Sequence, residues 1–281
     1  MLIDTGMVAV VTGAGSGIGR ALAERAASRG MKVVAADVEA PKLAATVDEI
    51  VRRGGEAIGV PTDVSVAEEV ERLADEAWSR FGGVNLLCNN AGVFSGGLLW
   101  ERTLADWEWV MGVNLYGLVN AARTFVPRLL AAGEPAHIVN TASMGGLVTN
   151  AYSGPYYTSK FAAVGLTECL AHDLLTTGAP IGVSALVPSL VATGIATSHR
   201  NRPERWVDRG AERGADEQFV LAAMEDSVGA GMPPAEVAAL VFDAVEDDRF
   251  WIPTKPSYHD QIRARHDDMQ ALRHPASAQL D

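Results

Sequence analysis

The 281-residue sequence predicts an α/β protein, a single-domain doubly wound parallel sheet of about seven strands with helices on both faces. Two observations carry this. Short apolar, β-branched runs alternate with longer stretches of helical periodicity, and the turns between them are rich in Gly, Asp and Asn. Residues 7–11 form the first run, and 32–36, 56–60, 84–88, 137–141 and 181–187 repeat it, with 250–252 as the last. Between them 21–29, 42–53, 67–80, 107–130 and 156–175 have helical spacing, and Pro233-Pro234 opens one more helix. From residue 257 the chain is polar and reads as a helix with a frayed end. Without a tandem repeat or a Pro/Gly/Ser linker, residues 1–255 read as one domain and 256–281 as a C-terminal helix and tail.

Composition excludes several function classes. The 35 acidic and 23 basic side chains give a net charge of −12, which argues against a nucleic-acid partner, whose affinity comes largely from Lys and Arg, and against anionic membranes. Only Cys88 and Cys169 are present, so no disulfide framework or cysteine zinc site is expected, and a reducing cytoplasm fits. Both read as small core residues. Six scattered histidines show no ligand spacing, so no metal is expected. No apolar run reaches the roughly 18 residues of a membrane span. The start carries Asp4 and lacks the basic n-region of a signal peptide.

Chemistry enters at Thr12-Gly13-Ala14-Gly15-Ser16-Gly17-Ile18-Gly19, between the first strand and the first helix. Glycines there let the backbone approach a pyrophosphate, whose charge then lies at the positive end of the helix. Asp37, about 20 residues on at the end of the second strand, suits the hydroxyls of an adenosine ribose and favours NAD over NADP.

In this order and spacing the sequence resembles the short-chain dehydrogenase/reductase family, with a Rossmann nucleotide fold, from about residue 7 to residue 193. Asp63 matches the family's adenine-contacting Asp, Asn89-Asn90-Ala91-Gly92 its NNAG element, Asn114 its catalytic Asn, and Tyr156-Tyr157-Thr158-Ser159-Lys160 its Tyr-x-x-x-Lys signature, with Ser143 after the fifth strand. The resemblance implies catalysis by Asn114, Ser143, Tyr156 and Lys160. It implies cofactor contacts from Gly13, Ser16, Gly17, Ile18, Gly19, Asp37, Asp63, Val64, Asn90, Ala91, Gly92, Tyr156, Lys160, Pro188 and Thr193. One departure is Ser189, where the family has Gly after Pro188, which bears on the backbone path beside the nicotinamide.

The residues support that chemistry independently. A secondary alcohol gives up a hydride only if its hydroxyl proton leaves too, so a base must reach the oxygen. Free tyrosine, with a pKa of about 10, is a poor base. Lys160 lies four residues after Tyr156 on the same helical face, and its ammonium, with an oxidised nicotinamide, favours the phenolate. Tyr157 is the competing base through an i+3 pairing; the family's spacing selects Tyr156 and leaves Tyr157 to packing. Ser143 would hold the substrate oxygen and Asn114 a water leading from Lys160 to solvent, as the resemblance implies.

The function expected is hydride transfer between NAD(H) and a bulky or aromatic secondary alcohol or ketone. One alternative, an NADPH-dependent carbonyl reductase, is opposed by Asp37, Val38 and Ser16. A non-catalytic nucleotide-sensing protein is opposed by the full set of catalytic residues. Residues 194–231 are expected to be a mobile lid over the substrate. Ser143, Tyr156, Tyr152, Met144 and Leu190 are the substrate contacts expected, with Phe94, Leu98, Trp206 and Phe219 as further lining. Arg200, Arg202, Arg205, Arg209 and Arg213 suggest an anion site, but the reading preferred is pairing with Glu204, Asp208, Glu212, Asp216 and Glu217 on a solvated helix. Residues 124–128 and 153–156 resemble relatives that oxidise benzylic alcohols of lignin-derived aromatics. The helices at 107–130 and 156–175 are apolar on more than one face, and family relatives pair them about a two-fold axis, so a homodimer or homotetramer is expected.

Overall fold

Strands without a polar side persist only where both faces are covered, and Val8–Thr12 and Ala136–Thr141 are buried along their whole length. The computed structural model, which describes residues 1–208, 214–256 and 258–278, makes these β1 and β5 of a seven-stranded sheet. The other strands are β2 (Lys32–Asp37), β3 (Ala57–Pro61), β4 (Leu86–Asn89), β6 (Ile181–Val187) and β7 (Trp251–Pro253). Their order is β3-β2-β1-β4-β5-β6-β7, with every pair parallel. The helices are α1 (Gly17–Ser28), α2 (Ala40–Arg52), α3 (Ala67–Phe81), α4 (Leu104–Met111), α5 (Gly117–Ala132), α6 (Gly154–Thr177), α7 (Ala215–Gly229), α8 (Pro234–Glu246) and α9 (Tyr258–Gln270).

Apolar spacing decides which face each helix covers. In α3, Val70, Leu73, Ala74 and Ala77 recur at i, i+3, i+4 and i+7 and are buried. Together with Phe125, Leu129 and Leu174 from α5 and α6 they cover Val10, Val34, Leu87 and Ile138. On the opposite face Leu22, Ala26, Leu43, Val241 and Phe242 from α1, α2 and α8 cover Ala9, Val11 and Val33. Connections leave β1 and β4 in opposite directions, so a crevice opens at their carboxyl ends, where open α/β sheets bind ligands.

Local structure differs from expectation in four places. The helix expected at 107–130 starts at Leu104, because Thr103 and Asp106 form a capping box: the Asp106 amide donates to Thr103 Oγ1 and the Thr103 amide to Asp106 Oδ2. It reaches Ala132 through a π turn at Gly112–Tyr116 that carries Asn114. After β6 the chain forms 3₁₀ turns at Ile195–Asn201 and Glu204–Trp206 before α7; Arg209, Glu212 and Arg213 lie outside the described residues. The tail returns to the loop after β5, where the Ala278 amide donates to Thr149 O and Asn150 Nδ2 to Ala278 O, both at 3.0 Å. Cys88 is buried in β4, but Cys169 is exposed on α6 and so is not a core residue. No helix among the described residues is long and apolar enough to cross a membrane.

Candidate active site

At the crevice, β1 and β4 are clamped together by Thr12 and Asn90. Thr12 Oγ1 accepts from the amides of Asn90 (2.9 Å) and Ala91 (3.1 Å), and Asn90 Nδ2 donates to Thr12 O. This fixes the Gly-rich turn beside the NNAG element. Gly13 has φ +69° and a β-carbon there would lie 3.0 Å from Ala91 Cα; Gly17 has φ +52° and would press one on Thr193 at 2.8 Å. Side chains at either position would fill a cradle that suits a diphosphate. The N-terminus of α1 faces it, and its N-cap Ser16 makes no side-chain cap bond. Gly19 is a correction to the expected contacts: it does not line the cleft. A β-carbon there would overlap Gly13 O, so this glycine serves the close approach of α1 to the turn.

Asp37 closes the far end of the turn. Its Oδ2 accepts from the Gly15 amide and its Oδ1 from the Glu39 amide, both at 2.8 Å, so the carboxylate is fixed with lone pairs left for ribose hydroxyls. Beyond it Asp63 and Val64 line the cleft with Trp109 and Val113. Asp63 Oδ1 accepts from the amide and hydroxyl of Ser65.

At the other end the cleft is lined by Ser143, Met144, Tyr156, Lys160, Pro188, Leu190 and Thr193. Lys160 Nζ donates to Thr141 O at 2.8 Å and lies 5.8 Å from the centre of the Tyr156 ring, which Phe94 meets edge-on. Burial pushes the Lys160 ammonium down to about 8. Burial, and then Tyr156 beside it, push the Tyr157 phenol up to about 12, which makes Tyr157 a poor base at neutral pH. Ser143 Oγ accepts from the Gly145 amide at 3.0 Å, leaving its own proton to donate. Asn114 lies one layer behind the cleft wall: Oδ1 accepts from Val93 N, and Nδ2 donates to Val93 O and Ser159 Oγ. A β-carbon on Gly92 would lie 3.5 Å from Asn114 Oδ1 and 3.7 Å from Lys160 Nζ, so the missing side chain leaves space that both atoms border.

Several expected contacts fall elsewhere. Tyr152 has φ +63°, gives its carbonyl to the Gly97 amide and exposes its ring outside the cleft, because the left-handed turn points the side chain away. Leu98 is tied by its amide to Asp216, Phe219 is exposed on α7, and Trp206 packs against α4 where a β-carbon on Gly112 would meet its ring. Three of the arginines after β6 pair with distant acids in place of the expected helix face: Arg200 meets Glu39, Arg202 meets Asp106 and Arg205 meets Asp63. Asp216 and Glu217 both pair with Arg102. Sequence reasoning missed Glu39, Asn201, Pro203 and Met224 in the cleft lining; the Arg-rich run beside a lone Trp was the available signal. Ser189 departs from the family residue but its amide is held by Thr254 Oγ1 at 3.0 Å.

A family model described as short chain dehydrogenase matches residues 7–204. The chain belongs to the short-chain dehydrogenases. This makes it an oxidoreductase. A short-chain dehydrogenase/reductase from Burkholderia phymatum, solved in complex with NAD, is 46% identical and superposes with a TM-score of 0.97 over 99% of each chain. The 1-deoxy-11-beta-hydroxypentalenate dehydrogenase of Streptomyces exfoliatus is 39% identical over 93% of this chain and 87% of its own. The C alpha-dehydrogenase of Sphingobium sp. strain SYK-6, another short-chain dehydrogenase relative, is 35% identical over 91% of this chain and 82% of its own.

Proposed function

We propose that this short-chain dehydrogenase interconverts a bulky, uncharged secondary alcohol and its ketone with NAD(H). The observation that carries the reading is the pairing of Tyr156 and Lys160 in a cleft whose opposite end presents the fixed carboxylate of Asp37. When bound, the nicotinamide supplies the hydride acceptor or donor. Gly13 and Gly17 would admit the diphosphate, Asp37 would hold the ribose, and Thr193 and Pro188 would border the nicotinamide. Tyr156 takes the alcohol proton in oxidation and returns it in reduction, with the Lys160 ammonium favouring the phenolate. Ser143 orients the reacting oxygen through its free proton. A water beside Gly92, between Asn114 Oδ1 and Lys160 Nζ, would carry the proton onward.

The substrate end supports a bulky apolar ligand. Phe94, Met144, Tyr157, Leu190, Ile195 and Met224 line it, and Lys160 is the charged side chain there among the described residues. An NAD-complexed relative of the same length and trace supports the cofactor. The protein is proposed to act in the cytoplasm as a homodimer or homotetramer; scattering from a 29.7 kDa particle at micromolar concentration would refute the assembly. The test of function is a panel of aliphatic and aryl-substituted secondary alcohols and ketones followed by NADH absorbance, with NADP in parallel. Turnover of bulky members with NAD is expected; activity confined to small aliphatic alcohols would overturn the substrate class.

A further inference from the structure

From Thr193 to Val207 the chain does not simply cover the substrate; it runs back along the carboxyl edge of the sheet to the adenosine end. Its path is fixed at each step. Ser198 Oγ accepts from the Phe94 amide at 2.9 Å. Arg200 donates to Glu39 Oε1 at 2.7 Å while its other nitrogen is held by Thr197 O and Oγ1, both at 2.8 Å, and Asn201 Nδ2 reaches the same Glu39 oxygen at 2.8 Å. Arg202 bonds Asp106 Oδ1 at 2.6 Å with its guanidinium 5.2 Å above the Trp109 ring. Arg205 donates to Asp63 Oδ2 at 2.6 Å and Ser65 Oγ at 2.7 Å. Trp206 fills the notch left by Gly112.

We infer that residues 195–207 are a second nucleotide-binding element, a strap latched over the adenosine end by the Arg200–Glu39 and Arg205–Asp63 pairs that governs how fast the cofactor leaves. This rests on the reading of the cleft as a nucleotide site. Arg200, Asn201 and Pro203 line the cleft across from Val38, Asp63 and Val64, so an adenosine held at Asp37 lies under the strap. Carboxylates at 37, 39 and 63 crowd this rim; the strap arginines neutralise the latter two and leave Asp37 for the ribose. Burial would raise the Glu39 carboxyl, but hydrogen bonds from Arg200, Lys42 and Asn201 outweigh it and hold it at about 2, so the latch is charged throughout the working pH range. Both latches stay partly solvated, with Arg200 31% and Arg205 45% exposed, as suits a closure that must reopen.

The test is stopped-flow displacement of NADH from the full-length chain. In an Arg200→Gln/Arg205→Gln variant the off-rate is expected to rise about tenfold, the combined effect of two part-exposed pairs. Raising salt to roughly 0.5 M, where the screening length falls to about 4 Å, should speed release from the wild type and leave the variant unaffected. A packing role alone would not give that salt dependence. Lysine at both positions should restore part of the slow release, and Glu39→Gln, which opens one latch from the other side, gives an independent reading if the double variant folds poorly. An off-rate within twofold of wild type in the double variant and Glu39→Gln, or a wild-type rate flat in salt, would overturn the strap. A wild-type chain that binds no NADH would overturn the nucleotide reading and the strap with it.

Discussion

Lys160 reaches across from α6 to donate to the main-chain carbonyl of Thr141 at the end of β5, at 2.8 Å. That bond docks the helix carrying Tyr156 against the strand that leads to Ser143, so the two side chains share one frame. Tyr156→Phe is expected to lower kcat by about 10²–10⁴ with NADH affinity within about twofold, because the lost hydroxyl acts on the substrate proton. Lys160→Ala should weaken both, since this side chain lines the cofactor cleft as well. Steady-state kinetics and NADH titration check this; a dead Tyr157→Phe beside an active Tyr156→Phe would reverse the choice of base.

Asp37 is held by two backbone amides and cannot swing away from a 2′-phosphate. Arg200, the strap cation that borders the cleft near it, is already engaged by Glu39. Repulsion of several kcal/mol at such a site corresponds to a preference for NAD on the order of a hundredfold or more. The ratio of kcat/KM for the two cofactors measures it, and Asp37→Ala should narrow the gap. Equal efficiency with NADP in the wild type would refute the assignment.

His137 lies buried at the amino-terminal end of β5. Its Nε2 meets Ser184 Oγ at 2.7 Å, and that hydroxyl donates to Arg249 O, so Nε2 carries the proton. Nδ1 has no hydrogen-bond partner among the described residues, and Asp248 Oδ1 is 4.0 Å away. Burial pushes this imidazole down to about 4, with Asp248 opposing the shift. Between that value and about 6.5 the unfolded chain binds the proton and the folded one does not, so stability falls as pH drops through this window. The slope approaches 1.4 kcal/mol per pH unit and the total loss is about 3 kcal/mol. Denaturant unfolding between pH 7 and 5 should show a slope about one proton smaller in His137→Gln. An identical slope would mean that His137 is already charged in the fold.

Sheet and cofactor turn were legible because their signals are local. Apolar runs of strand length and glycines at fixed spacing act within a few residues, as in 181–187, where the expected strand matches β6. The clustering of Ser143, Tyr156 and Lys160 was legible through motif spacing. Contacts between distant segments were not: Arg200 and Glu39 stand 161 residues apart, and the acids nearest Arg200 in sequence drew the pairing toward its own helix. Tyr152 failed because a left-handed residue reverses the direction of its side chain, which nothing in Ala151-Tyr152-Ser153 announces. The start of α4 could have been read from Thr103 and Asp106, whose three-residue spacing is a capping signal.

Among the described residues of the expected lid at 194–231, the segment before α7 and α7 itself have different anchors. Helix α7 covers the substrate end, where Val220, Leu221 and Met224 pack on Phe94, Tyr156 and Tyr157. Its start is held by Arg102, 4% exposed, which pairs with Glu217 at 2.9 Å and Asp216 at 3.4 Å, while Asp216 Oδ2 also accepts from the Leu98 amide at 2.7 Å. Hydrogen bonds from Leu98 N and the Arg102 charge keep the Asp216 carboxyl below its ordinary range. Arg102→Gln removes the cation that ties down Asp216 and Glu217, a loss on the order of 1–3 kcal/mol that falls on the α7 anchor and not on the strap. The Michaelis constant for a bulky ketone should then rise several-fold, that for a small ketone much less, and NADH affinity should not change. Limited proteolysis reports the same event: NADH with an aryl ketone should protect 214–231 in the wild type, and Arg102→Gln should lose much of that protection. Cleavage equally slow in every state, with both Michaelis constants unmoved, would show that α7 is a fixed wall and that Arg102 does not govern access to the substrate.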